Sequence, residues 1–173
     1  NFRDRELVKR LNRMNMPLYT RGWIVVPKDL ESIDHMDVAP FALHTANFKG
    51  KRTIYVDLSL QAFGAYNESG DLVHWGPVSG GKAWCKDIDA PCETVTGNFR
   101  IVRKDTEECK SGVFPVDTDG GAPMPYCMHF YKGFAFHAST LPGYHASHGC
   151  VRMFFDDAKW LNHKFTKIGT QVV

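Results

Sequence analysis

Gly133-Phe134-Ala135-Phe136-His137-Ala138, a loop through Pro142-Gly143-Tyr144-His145, and then Ser147-His148-Gly149-Cys150-Val151-Arg152 form the most informative stretch of this 173-residue chain. Read as an extended strand, the first six residues place Phe134 and Phe136 on one face and Ala135 and His137 on the other. The aromatic face belongs in a core, which leaves an imidazole on a face cleared of bulk. A glycine directly before Cys150 lets a carbonyl approach the thiol without meeting a Cβ.

These residues carry the parts that acyl transfer requires. A thiol with an ordinary pKa near ~8.5 is only slightly ionised at neutral pH and needs a base. His137, brought round by the loop, or His148, two residues from Cys150, can hold it as a thiolate–imidazolium pair, and spacing alone does not choose between them. Backbone N–H groups around Gly149 and Cys150 are candidate oxyanion donors. His137, His145, His148 and Cys150 are also suitable ligand types for zinc, although their spacings match no standard zinc signature. His35, His44, His74, His129 and His163 are scattered and read as structural.

Working outward, strand patterns dominate. Trp23–Pro27 and Arg52–Leu58 read as strands, and Asn67–Asp71 reads as a turn between Gln61–Tyr66 and Leu72–Pro77. Gly97–Arg103 alternates, and Cys127–Tyr131 joins Gly133–His137 through Lys132-Gly133 as a hairpin. Asp105–Pro125, rich in Gly, Pro, Asp and Ser, reads as a long loop. Helical signals are confined to the ends. Leu7, Leu11 and Met14 suggest a short amphipathic helix, and Asp156 or Asp157 caps a helix through Ala158, Trp160, Leu161 and Phe165, before a final Gln171–Val173 strand. The expected architecture is mainly β, a β-sandwich or barrel with small peripheral helices. Ser79-Gly80-Gly81-Lys82 lacks the spacing and strand-to-helix context of a phosphate-binding loop.

The composition sets outer limits. With 43% hydrophobic residues, the chain is long enough for one sizeable core and too short for two ordinary domains. A formal charge of +2 lacks the dense basic stripe that nucleic-acid binding requires. No apolar run approaches the ~20 residues that cross a bilayer. Asn1 is not an initiator methionine, so the lack of a signal sequence says nothing about compartment. Five cysteines, at 85, 92, 109, 127 and 150, are many for a cytosolic protein of this size, and an odd number leaves one unpaired. Four cysteines allow three pairings; Cys85 with Cys92 and Cys109 with Cys127 close short local loops and are the expected ones. Five reduced thiols in the cytosol is the alternative.

His137 followed by Ser147-His148-Gly149-Cys150-Val151-Arg152 resembles the signature of the L,D-transpeptidase (YkuD-type) catalytic domain. Further segments resemble that family in order: Ile54–Gln61, Gly76–Gly81, Thr96–Phe99, Met124–Tyr126, Asp157–Lys159 and Gly169–Val172. The resemblance runs from about Arg52 to the C-terminus, implying a catalytic domain over 51–173 and an N-terminal extension, 1–50, packed on it. It implies that Cys150 attacks the carbonyl between an L-configured diamino acid centre and a terminal D-alanine of a peptidoglycan stem peptide. A thioester then passes to an amine of a second stem peptide or a surface protein. His137 takes the place of the general base, while His148 and Gly149 flank the oxyanion site. Ser147, Arg152, Tyr144 and Tyr126 are expected to contact substrate, with the Arg152 guanidinium suited to a carboxylate. Ala138 stands where Gly or Ser is more usual, which matters little if only its carbonyl orients His137. No cofactor or metal is called for, and the setting implied is periplasmic or otherwise extracytoplasmic, at the cell wall. The same residues also suit an L,D-carboxypeptidase, in which water resolves the thioester. A non-catalytic cell-wall binding module and a zinc hydrolase are the remaining alternatives.

Overall fold

The computed structural model describes residues 2–173, and its centre is one curled sheet of nine strands. The strands are β1 (Thr53–Asp57), β2 (Ala62–Tyr66), β3 (Leu72–Ser79), β4 (Phe99–Arg100), β5 (Arg103–Lys104), β6 (Met128–Tyr131), β7 (Phe134–Ala138), β8 (Val151–Met153) and β9 (Gln171–Val172). Their order is β4-β9-β1-β2-β3-β8-β7-β6-β5. The two outermost strands, β4 and β5, are separated in sequence only by Ile101 and Val102, so the sheet must curl until its edges meet. At the seam the Ile101 N–H donates to Thr170 O at 2.9 Å and the Val102 N–H to His129 O at 2.8 Å. Gly97–Arg103, read from its alternation as one strand, is therefore divided between the two edges.

Burial explains why the strands hold this curl. Ile54, Phe63, Ala65, Val78, Met128, Phe136, Val151, Met153 and Leu161 fill its interior. Each fully buried Val, Leu, Ile, Met or Phe among them contributes on the order of 2 kcal/mol. β2 is buried throughout, because its alternate residues Ala62 and Tyr66 pack into a second cluster with Leu72 and Trp75 on the outer face. Met36, Val38, Ala39, Phe41 and Phe48 cover that cluster, so the segment before β1 is what keeps the outer face dry.

The helices are marginal, as expected: α1 (Phe2–Leu11) and α2 (Phe155–Trp160), the latter continuing into a π-helical turn, Leu161–Phe165. Three details differ from the sequence reading. Met14 is buried but lies beyond α1. The N-cap of α2 is Phe154, and Asp156 and Asp157 sit in its first turn, where negative charge meets the positive end of the helix. Trp23–Pro27 is surface chain rather than strand, with Trp23 68% exposed. In place of strand pairing, the Asn12 side chain donates to Val25 O at 2.7 Å and accepts from Val25 N at 2.8 Å, satisfying that residue's backbone.

Cys85 is bonded to Cys92 and Cys109 to Cys127, leaving Cys150 free. A thiol count on denatured, unreduced protein is expected to give one. Five thiols, or a disulfide containing Cys150, would overturn the pairing. Among the described residues no helix is long and apolar enough to cross a membrane.

Candidate active site

β7 and β8 run parallel, with His137 opposite Arg152 and Phe136 opposite Val151, so the crossover loop of residues 139–150 returns Cys150 to the mouth of the sheet beside the histidine strand. The turn before β8 is stapled by one hydroxyl. Ser147 Oγ donates to Cys150 O at 2.5 Å and accepts from the Gly149 N–H at 3.0 Å. Gly149 adopts φ +121°, and a Cβ there would come within 2.6 Å of the Phe134 ring, so both conformation and space demand glycine.

Cys150, His137, His148, Ser147 and Arg152 line one cavity of about 610 Å³. Its far wall is the loop after β5: Lys110–Pro115 and Ala122–Met124 face the nucleophile, with the Cys109–Cys127 disulfide packed behind them against Ala135 and Cys150. Phe114 of that loop stacks on the His148 ring at 4.4 Å.

The two histidines are held by opposite nitrogens. His137 Nδ1 lies 2.9 Å from Ala138 O, and a carbonyl only accepts, so Nδ1 carries the proton and Nε2 keeps its lone pair. Burial, reinforced by the Arg152 and His129 charges and opposed by the Ala138 bond, lowers the His137 pKa to about 4. Burial also raises the Cys150 pKa, against a backbone bond from Ala135 and the Arg152 charge. Both shifts favour the neutral form of each group, thiol and imidazole. Burial is the largest cause of each shift and acts against the charged form. His148 Nε2 is 2.7 Å from Asp87 Oδ2, so there it is Nε2 that carries the proton.

Other expected residues fall elsewhere. Tyr126 is buried in the core with its hydroxyl donating to Glu107 at 2.7 Å, and Tyr144 is 63% exposed; neither lines the cavity. The Gly149 N–H, expected as an oxyanion donor, is already committed to Ser147. His145 Nδ1 accepts from Gly80 N at 3.0 Å, drawing it away from any ligand set with His137 and Cys150. Ligand atoms of Cys85, Asp87 and His148 do lie within 4.8 Å of one another, but the Cys85 sulfur is spent in a disulfide. Gly80 and Gly81 donate their N–H groups to His145 and to Thr94 Oγ1, so Ser79–Lys82 is packed chain continuing from β3 and no phosphate cradle.

Several cavity residues escaped the sequence reading. Arg103 Nη2 reaches His129 Nε2 at 2.9 Å, and both line the cavity, as do Asp87, Lys110, Lys132 and Phe134. His129, read as structural, belongs to the site because β5 and β6 set it opposite Arg103. The balance is cationic: Arg103, Lys110, Lys132 and Arg152 against one carboxylate, Asp87.

A family model described as YkuD, L,D-transpeptidase catalytic domain, matches residues 51–173. Among solved structures, the L,D-transpeptidase (residues 123–326) from Xylanimonas cellulosilytica is 25% identical, with TM-score 0.58, over 72% of this chain and 60% of that one. An L,D-transpeptidase from Mycobacterium smegmatis is 19% identical, with TM-score 0.58, over 71% of this chain and 58% of that one. The LD transpeptidase LdtMt1, solved in complex with imipenem, is 20% identical, with TM-score 0.54, over 70% of this chain and 57% of that one. The chain thus spans under two thirds of the length of each. Among curated proteins there is no match.

Proposed function

This chain belongs to the L,D-transpeptidase catalytic-domain family, and from that membership we propose that it is a cysteine transpeptidase acting on peptidoglycan stem peptides through a thioester on Cys150. The observation that carries the reading is that one cavity is lined by both the free thiol and an imidazole whose Nδ1 is tied to Ala138 O.

His137 Nε2 takes the thiol proton as sulfur attacks the carbonyl before the terminal D-alanine. With the neutral form of both groups favoured, the proton moves as the bond forms, which is general-base catalysis. The tetrahedral oxyanion forms beside the 147–150 turn, where the Arg152 guanidinium supplies positive potential. The C–N bond then breaks, the leaving amine takes the proton back from His137, and D-alanine departs. Arg152 and Arg103 suit the carboxylates of an anionic stem peptide. An acceptor amine, from a second stem peptide or a surface protein, resolves the thioester. Two disulfides suit the oxidising, extracytoplasmic setting in which a cell wall is built, in the periplasm or its equivalent.

A carbapenem tests the nucleophile, because its strained lactam carbonyl asks of the site only attack and oxyanion stabilisation. Intact mass after brief incubation is expected to show one drug added to wild-type protein and none to Cys150→Ala. Unmodified wild-type protein with intact drug would sink the proposal, and opened drug without an adduct would favour a hydrolase of another kind. Mass spectrometry of products from a defined disaccharide-tetrapeptide separates transfer to an amine from transfer to water.

A further inference from the structure

The cationic lining of the cavity suits an anionic donor, yet transpeptidation has a second substrate of opposite charge. The acceptor is a primary amine, which is protonated in neutral water. It has to be held among Arg103, Lys110, Lys132 and Arg152, and it has to lose a proton before its nitrogen can attack.

Asp87 and His148 meet both needs. Asp87, from the loop closed by the Cys85–Cys92 disulfide, is the one carboxylate among the cavity-lining residues, and its side chain is 47% exposed, open to an incoming molecule. One of its oxygens accepts from His148 Nε2 at 2.7 Å; a carboxylate has acceptor capacity to spare for an ammonium. With Nε2 engaged by Asp87, Nδ1 is the ring nitrogen left to take a proton, the reverse of His137. Phe114 fixes the ring plane from the other wall, and the short 147–150 turn keeps His148 two residues from the nucleophile.

We propose that Asp87 and His148 form the acceptor subsite, Asp87 binding the ammonium of a primary amine and His148 removing its proton, so that the two histidines of the cavity serve successive half-reactions. This rests on the acyl-enzyme reading above. The ammonium gives one proton to His148 Nδ1, and the freed nitrogen attacks the thioester carbon. A second proton passes from the new C–N centre to His137 Nε2 as the C–S bond breaks. Sulfur leaves as thiolate and recovers that proton from His137, while His148 releases its own to solvent. Thioester and ammonium thus become amide, thiol and one proton, with no other reactant.

The test measures how one acyl-enzyme partitions, which is independent of how fast it forms. Wild-type, Asp87→Asn and His148→Gln proteins are given a disaccharide-tetrapeptide donor with either Nα-acetyl-lysine amide or hydroxylamine, and amide and hydrolysis products are quantified by mass spectrometry. Both variants are expected to lower the amide-to-hydrolysis ratio for the lysine amine by about 100-fold. The ratio for hydroxylamine, largely unprotonated at neutral pH, is expected to stay at the wild-type value. Undiminished lysine transfer in both variants, or an equal loss with both acceptors, would overturn the subsite while leaving the acyl-enzyme intact. Absence of any adduct on wild-type Cys150 would overturn the acyl-enzyme reading and the subsite together.

Discussion

Replacing His137 by glutamine is expected to slow acylation of Cys150 at neutral pH by ~10²–10⁴-fold, the usual worth of a positioned general base. The direction with pH follows from the two shifted groups. In the wild-type protein, acylation should rise with pH as His137, with its pKa lowered to about 4, loses its proton, and then run level through neutrality. The variant has no base to deprotonate, so that acid limb disappears. Its rate should instead grow about tenfold per pH unit, as unaided ionisation supplies thiolate, up to the raised Cys150 pKa. The deficit therefore narrows as pH climbs. His148→Gln, remote from this step because its ring is engaged with Asp87 and Phe114, should lose far less in acylation. Pre-steady-state intact-mass measurements across pH decide the matter, and a larger acylation defect in His148→Gln would reverse the assignment.

Choosing between these histidines shows where the sequence stops being legible. The alternation of β7 could be read directly: Phe134 and Phe136 pack with the core, while Ala135 joins the cluster around Cys150 and His137 lines the cavity. What spacing does not encode is which ring nitrogen is engaged. That depends on Ala138 O for His137, a neighbour in sequence, but on Asp87, 61 residues away, for His148. Arg103 and His129 stayed hidden for the same reason, since only the β5–β6 register sets them opposite one another. The 105–125 stretch was recognisable as a loop from its composition, but its role as a cavity wall comes from the Cys109–Cys127 bond that folds it over Cys150. Trp23–Pro27 misled in the other direction. Its β-rich composition was plain, but strand formation needs an open sheet edge, and sequence does not say whether one is at hand.

Removing the carboxylate of Asp157 is expected to destabilise the fold by ~3–5 kcal/mol, the range found when one partner of a buried ion pair is deleted. Asp157 is 0% exposed and receives Arg10 at both oxygens, at 2.7 and 2.8 Å, and His74 Nε2 at 2.8 Å. Desolvation works against its charge, but the His74 hydrogen bond and the Arg10 charge overcome it and hold its pKa below the usual carboxylate value. With the folded pKa depressed, the stabilisation is present above the unfolded carboxylate pKa and is lost as pH falls through the folded one. The contact also joins parts distant in sequence: Arg10 lies on α1 in the N-terminal extension, His74 on β3 and Asp157 on α2. Asp157→Ala strands a largely buried guanidinium, whereas Arg10→Ala leaves the carboxylate still bonded to His74. The aspartate variant should therefore lose more stability, and both should lose more at pH 7 than in acid. Urea unfolding monitored by tryptophan fluorescence, with Trp75 under the extension and Trp160 on α2 as reporters, measures the loss. A change below about 1 kcal/mol in Asp157→Ala at pH 7, within what a surface pair is worth, would show that this bridge does not hold the extension to the sheet.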